Sequence, residues 1–294
     1  MRKNTITILD AGMGKTLSFR GVEIPPTIWS ANALIVAPEV VYEIHRENIS
    51  AGARVITTNS YGIIPSDLKK AGLLERYEEL NHLAGDLARK AASESHEPIK
   101  VAGSLPPLNG SYRPDRVLRK EVIEPTYRQQ CEALCPYVDV FLAETMSTIQ
   151  EAISAVSVAS EFGKPVLAGL TLHDEQKGKL RSGEPLSDAI CELKKLNLEG
   201  LLANCSLPER ITDAMPTIVD SGFTYHGGYA NAFCSVPKDW LLDGEKDTDG
   251  KLELRKDLTP DRYRQFVIEW IECGANLVGG CCGTTAEHIK SITE

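Results

Sequence analysis

Residues 138–171 read VDVFLAETMSTIQEAISAVSVASEFGKPVLAGLT, and this stretch decides the fold. Its two ends, residues 138–144 and 165–171, are near-continuous apolar runs of strand length. Strands buried on both faces have that composition, and in a sheet covered on both sides they run parallel. Between them, residues 148–161 carry a helical pattern. Strand, helix and parallel strand make one repeat of an α/β fold.

The same alternation continues in both directions. Toward the N-terminus, strand-like runs lie at residues 6–10, 53–58 and 99–104, with helical patterns at 38–50, 66–93 and 118–135. Toward the C-terminus, runs at 199–205, 222–229 and 275–280 follow a helical pattern at 185–195, and further helical patterns lie at 208–219 and 285–292. Capping residues and early prolines mark helix starts at Thr259-Pro260-Asp261 and Ser206-Leu207-Pro208. Eight strand-plus-helix units predict a (β/α)₈ TIM barrel, a single domain over residues 1–294. An open doubly wound sheet is the alternative, but no G-x-G-x-x-G follows the first strand.

Composition bounds the function. Of 294 residues, 42% are hydrophobic and 25% charged, which places the chain among globular proteins and outside the disordered class. A formal net charge of −9 argues against nucleic acid or an anionic membrane as a partner. No run approaches the roughly 18 apolar residues of a membrane span, and the early charges do not suit a signal peptide. The expectation is a cytoplasmic protein whose eight cysteines are reduced thiols.

In a barrel, catalytic groups gather at the C-terminal ends of the strands. Those ends carry Asp10, Thr57-Thr58-Asn59, Glu144-Thr145, Asn204-Cys205, Tyr229-Ala230-Asn231 and Gly279-Gly280-Cys281-Cys282-Gly283. Three long connections, residues 105–117, 172–184 and 231–258, are expected on the same face. The last holds an acidic, glycine-punctuated patch at 243–250. Closure would bring Cys205 to Cys281 and Cys282, and three thiolates with one position left open suit zinc. The alternatives are a buried, inert Cys205 or a redox-active Cys281-Cys282 pair, which would make the protein a thiol sensor. Cys131, Cys135, Cys191 and Cys273 fall on helices, and Cys234 is left outside the cluster.

Gly12-Met13-Gly14-Lys15-Thr16 imitates the end of a phosphate loop, yet the required glycine at position 9 is Leu9. It reads better as a glycine-rich turn near the site. His45, His82 and His288 fall on helices, while His173 and His226 lie where they can approach the opening. Buried carboxylates at Asp10 and Glu144 would be costly unless a cationic ligand or an internal base offsets them.

GGCCGTTAEHI (279–289), Asn204-Cys205, LAETMSTIQEA (142–152), VITTNSYG (55–62) and LDAGMG (9–14) together resemble the homocysteine S-methyltransferase family over nearly the whole chain. The resemblance implies a zinc-dependent barrel that moves a methyl group onto the sulfur of homocysteine, forming methionine. It implies Cys205, Cys281 and Cys282 as zinc ligands and Glu144 and Asp10 beside the amino-acid moiety. The backbone near Gly12 and Thr58 would help fix that moiety, and Asn204 would orient the site. Ala11, Lys15, Ala230 and Ala286 depart from the usual pattern, and none is a zinc ligand. The length leaves no room for a cobalamin or folate module, so a sulfonium donor, S-methylmethionine or S-adenosylmethionine, is expected. Betaine, a separate corrinoid protein, or a different thiol or selenol acceptor stay open, as does the choice between a monomer and a small homo-oligomer.

Overall fold

The computed structural model describes residues 6–237, 240 and 252–294. Eight strands form the sheet: β1 (Thr7–Ile8), β2 (Val55–Thr57), β3 (Lys100–Leu105), β4 (Val140–Met146), β5 (Val166–Leu170), β6 (Gly200–Asn204), β7 (Tyr225–Ala230) and β8 (Leu277–Gly280). All pairings are parallel, in the order β1-β8-β7-β6-β5-β4-β3-β2. A parallel bridge from Leu9 to Val55 closes the ring. The fold is the expected (β/α)₈ barrel.

Three helices follow β1: α1 (Met13–Phe19), α2 (Asn32–Val36) and α3 (Pro38–Ala51). The region 66–93 resolves into α4 (Pro65–Lys70) and α5 (Tyr77–Ser93). One helix follows each later strand: α6 (Lys120–Leu134), α7 (Ile149–Ser160), α8 (Leu186–Leu193), α9 (Pro208–Val219), α10 (Pro260–Cys273) and α11 (Ala286–Thr293). Local chemistry fixes the starts. Thr148 and Thr259 cap α7 and α10 through their hydroxyls, and α11 opens with a capping box in which His288 reaches back to the Thr285 N–H.

Side-chain alternation divides the core. Val101, Phe141, Ala143, Ala168, Leu201 and Ala203 face outward to the helices. Leu9, Val55, Ala102, Leu142, Leu167 and Leu202 fill the barrel interior. By the same parity, Ser104, Glu144, Gly169, Asn204 and Tyr229 point inward at its C-terminal end.

Two irregularities shape that end. The β4–β5 register shifts between Ala143, opposite Ala168, and Met146, opposite Leu170. One extra residue in β4 makes a bulge at Glu144-Thr145. Among the described residues, the non-glycine residues with positive φ are Trp29, Tyr112, Thr145 and Cys205. Trp29, Tyr112 and Cys205 line the cleft described next, and Thr145 follows Glu144. Among the described residues no helix is long and apolar enough to cross a membrane. The acidic patch at 243–250 lies outside the described residues.

Candidate active site

A cleft of about 880 Å³, open to solvent on one side, occupies the C-terminal mouth of the barrel. Asp10, Gly12, Thr58, Glu144, Cys205, Cys281 and Cys282 all line it. The three cysteines converge from the ends of β6 and β8, with every sulfur within 4.8 Å of the others. The structure departs here from the expectation of eight free thiols, because Cys205 and Cys281 are joined as a disulfide with Cα atoms 5.6 Å apart. Cys282 Sγ lies 3.7 Å from Cys205 Sγ. The bonded pair is thus not the vicinal Cys281-Cys282 of the sensor reading. Burial, and next the charge of Glu144, push the Cys282 thiol up to about 12. A thiolate there needs a cation beside it.

Glycine permits this turn. A Cβ on Gly12 would lie 2.5 Å from the Cys281 carbonyl oxygen and 3.0 Å from the Cys282 Cα. The first loop therefore packs backbone to backbone against the cysteine pair.

The two carboxylates are buried and differently held. Asp10 accepts from the Thr57 N–H at 2.7 Å and the Thr57 hydroxyl at 2.8 Å. Burial outweighs those bonds and raises its pKa to about 7, with Glu144 adding to the rise. Glu144 accepts from Ser104 Oγ at 2.5 Å and from Tyr229 Oη at 3.1 Å. Burial raises it as well, against those two bonds. Among the described residues lining the cleft there is no lysine, arginine or histidine. Of the two ways to offset these carboxylates, the cationic ligand is the one the cleft leaves available.

Asn204, expected to orient the site, turns its side chain to Thr145. Its Oδ1 accepts from the Thr145 N–H at 2.9 Å, and its Nδ2 donates to Thr145 Oγ1 at 3.0 Å. It is fully buried and is not among the residues lining the cleft. His226 sits at the opposite end of the barrel, at the start of β7, between the carbonyls of Phe223 and Gly274. His173 accepts from the N–H groups of Glu175 and Gln176 in its own turn. Neither histidine lines the cleft.

Tyr229, read at a strand end, lines the cleft and holds Glu144 together with Ser104, which escaped the sequence reading and which parity places inside. The other aromatic lining residues escaped it as well. Trp29, Tyr61, Tyr112, Phe233 and Trp240 give the cleft aromatic walls. Tyr112 and Trp240 meet edge to face at 5.5 Å, and Tyr61 shares a hydrogen bond with Ser111 at 2.7 Å. They sit in loops, where no periodicity announces an inward side chain.

The family pattern described as Homocysteine S-methyltransferase matches residues 7–294. The Homocysteine S-methyltransferase of Escherichia coli (strain K12) is 28% identical over 99% of this chain and 95% of its own. Homocysteine S-methyltransferase 1 of Arabidopsis thaliana is 24% identical over 97% and 92%. Two crystal structures of the Escherichia coli homocysteine methyltransferase MmuM superpose closely. The metallated form gives a TM-score of 0.82 at 26% identity, covering 99% of this chain and 96% of that one. The oxidized form gives 0.81 at 27%, covering 98% and 95%. With the barrel, the convergent cysteines and this match over almost its whole length, the chain belongs to the homocysteine S-methyltransferase family and is a methyltransferase.

Proposed function

We propose that the protein is a zinc-dependent enzyme of the cytoplasm that transfers a methyl group from a cationic donor to the thiol of L-homocysteine, giving methionine. The observation that carries the reading is the placement of three cysteine sulfurs and two buried carboxylates in one cleft that has no basic side chain among its described residues.

The donor set fits zinc. Tetrahedral zinc with sulfur at about 2.3 Å spaces its sulfurs roughly 3.8 Å apart. Cys205 and Cys282 already stand 3.7 Å apart, so once an external thiol reductant supplies two electrons and two protons to the Cys205–Cys281 disulfide, Cys205, Cys281 and Cys282 would be the three residues to hold zinc. Bound there, zinc would hold the homocysteine sulfur as a nucleophilic thiolate at neutral pH.

The chain's own residues do the rest. Glu144, aimed by Ser104 and Tyr229, receives the homocysteine ammonium, and Asp10 adds a second carboxylate on the same wall. That pairing offsets the cost of two buried acids. Thr58 Oγ1 accepts from the Ser104 N–H at 3.1 Å and keeps that wall rigid. The aromatic walls and the excess of carboxylates favour a positively charged donor through cation–π and Coulomb attraction. A sulfonium such as S-methylmethionine or S-adenosylmethionine meets that description. The sulfur attacks the methyl carbon in line, the carbon–sulfur bond of the donor breaks, and the donor leaves as a neutral thioether. No proton need move in that step, so the absence of a histidine from the described cleft residues is no obstacle.

Metal content and methionine formation in reduced protein, with homocysteine and S-methylmethionine, test the reading. About one zinc per chain is expected, and Cys282→Ala should lose it together with about 100-fold or more in activity, at or beyond the most that loss of a group merely supporting a ligand costs. Full methyl transfer by metal-free protein would refute the zinc assignment. Zinc without methionine would reject this donor, and betaine, S-adenosylmethionine and a methyl-corrinoid protein would then be compared.

A further inference from the structure

The mouth of the barrel is crossed by two struts, and only the second, to Glu144, already has a part in the proposed reaction. Asn204, on β6, reaches across β5 to Thr145 on β4. Tyr229, on β7, reaches Glu144 on β4 at 3.1 Å. Both pass over Gly169 on β5. A Cβ there would lie 2.7 Å from Asn204 Oδ1 and 2.9 Å from Tyr229 Oη. Gly169 has an ordinary negative φ, so the constraint at this position is space.

What the first strut holds is the bulge in β4. A bulge leaves its extra residue out of the ladder and re-aims the side chains beside it. Thr145 takes a φ of +63°, which a β-branched residue adopts only when its surroundings impose it. Its N–H, removed from the ladder, is completely buried and goes to Asn204 Oδ1. Its hydroxyl accepts from Asn204 Nδ2. One carboxamide thus pairs with both the N–H and the hydroxyl of the strained residue. The residue immediately before it is Glu144.

We infer that Asn204 is a positioning residue: its two bonds to Thr145, made over Gly169, hold the β4 bulge that aims Glu144 at the homocysteine ammonium. The inference rests on the reading of Glu144 as the ammonium site. It assigns Asn204 an effect on the acceptor alone. The methyl donor does not depend on the aim of Glu144, and of the three cysteines only Cys205 adjoins Asn204, where its own N–H is held by the Tyr229 carbonyl at 3.1 Å.

Zinc content, KM for homocysteine and KM for the methyl donor are measured for the wild type, Asn204→Ala, Glu144→Gln and the double variant. Asn204→Ala is expected to raise KM for homocysteine about tenfold. Donor KM should stay within about twofold and zinc should remain at the wild-type level. In the Glu144→Gln background, adding Asn204→Ala should change KM for homocysteine little, because the two act through one group. Gly169→Ala, which crowds both struts while keeping their ends, should likewise raise KM for homocysteine and leave donor KM and zinc at their wild-type levels. Thr145→Val removes only the hydroxyl and serves if Asn204→Ala does not fold. Equal rises in both KM values, loss of zinc, or an additive double variant would each overturn the inference. A wild type that neither binds zinc nor methylates homocysteine would instead refute the function on which it rests.

Discussion

Ser104 Oγ lies 2.5 Å from Glu144 Oε1, and Ser104 is itself fixed through both its backbone N–H and its carbonyl. Its N–H donates to Thr58 Oγ1, its carbonyl accepts from Ser60 Oγ at 2.9 Å, and those two hydroxyls meet at 2.8 Å. A serine so braced sets the orientation of the carboxylate it touches. Ser104→Ala should leave the fold intact and raise KM for homocysteine by roughly tenfold, the lower end of what supporting groups contribute. Steady-state kinetics with each substrate varied in turn provide the check, and an unchanged KM would mean that Tyr229 alone aims Glu144. The cysteines, Asp10 and Glu144 were legible in the sequence because strand ends of a barrel share one mouth. Tyr229 was legible as a strand end too, whereas Ser104, next to last in β3, was legible only through parity, and the role of Gly169 follows from what crosses it in space.

Elements repeat that division between local and non-local information. Seven apolar runs and a weaker, glycine-containing one at 222–229 predicted all eight strands, since burial on both faces is written into the composition of the seven. The β4 bulge was not legible, because it is a mismatch between two strands and belongs to neither alone. The short α1 and α2 were missed for a related reason: Leu17, Ala33 and Leu34 are buried by packing, not by a long amphipathic repeat. The connections at the mouth are tied to one another. Arg181, in the loop after β5, pairs with Asp174 at 2.6 Å and donates to the Val236 carbonyl, while Asp174 accepts from the Val236 N–H. Its guanidinium also lies over the Tyr112 ring at 5.5 Å. One arginine therefore joins the loops after β3, β5 and β7. Both charged side chains are largely buried, so removing one strands the other. Arg181→Leu should lower stability by about 3 kcal/mol in urea unfolding. Arg181→Leu combined with Asp174→Leu should recover part of that loss, and equal destabilisation in the two variants would show that the pair is not coupled.

At the scale of the whole molecule, burial of acids inside the barrel should make stability depend on pH in a direction opposite to that of paired surface carboxylates. Asp10 is raised from 3.8 to about 7, and Glu151, which accepts from the Ser147 N–H at the start of α7, from 4.5 to about 7. Each binds its proton more tightly in the folded chain than in the unfolded one. Their contribution is therefore complete below pH 4, declines as pH rises, and is lost above about 7. His45 works the other way. Buried in α3, it is lowered to about 4, so its contribution falls as pH drops from 6.5 toward 4. The metal-free, ligand-free protein should thus be most stable in mildly acid solution, and the alkaline limb should belong to the acids. Asp10→Asn isolates one of them, because an amide keeps the acceptor for the Thr57 N–H and offers a donor to its hydroxyl. The difference in Tm between this variant and the wild type should grow between pH 4 and 7 and then level off, with the variant higher by on the order of 5 °C at pH 8. Homocysteine should shrink that difference in zinc-loaded protein, since an ammonium beside Asp10 draws its pKa back down. A difference that does not vary with pH, or one that homocysteine leaves unchanged, would remove Asp10 from the ammonium site and leave Glu144 to hold it alone.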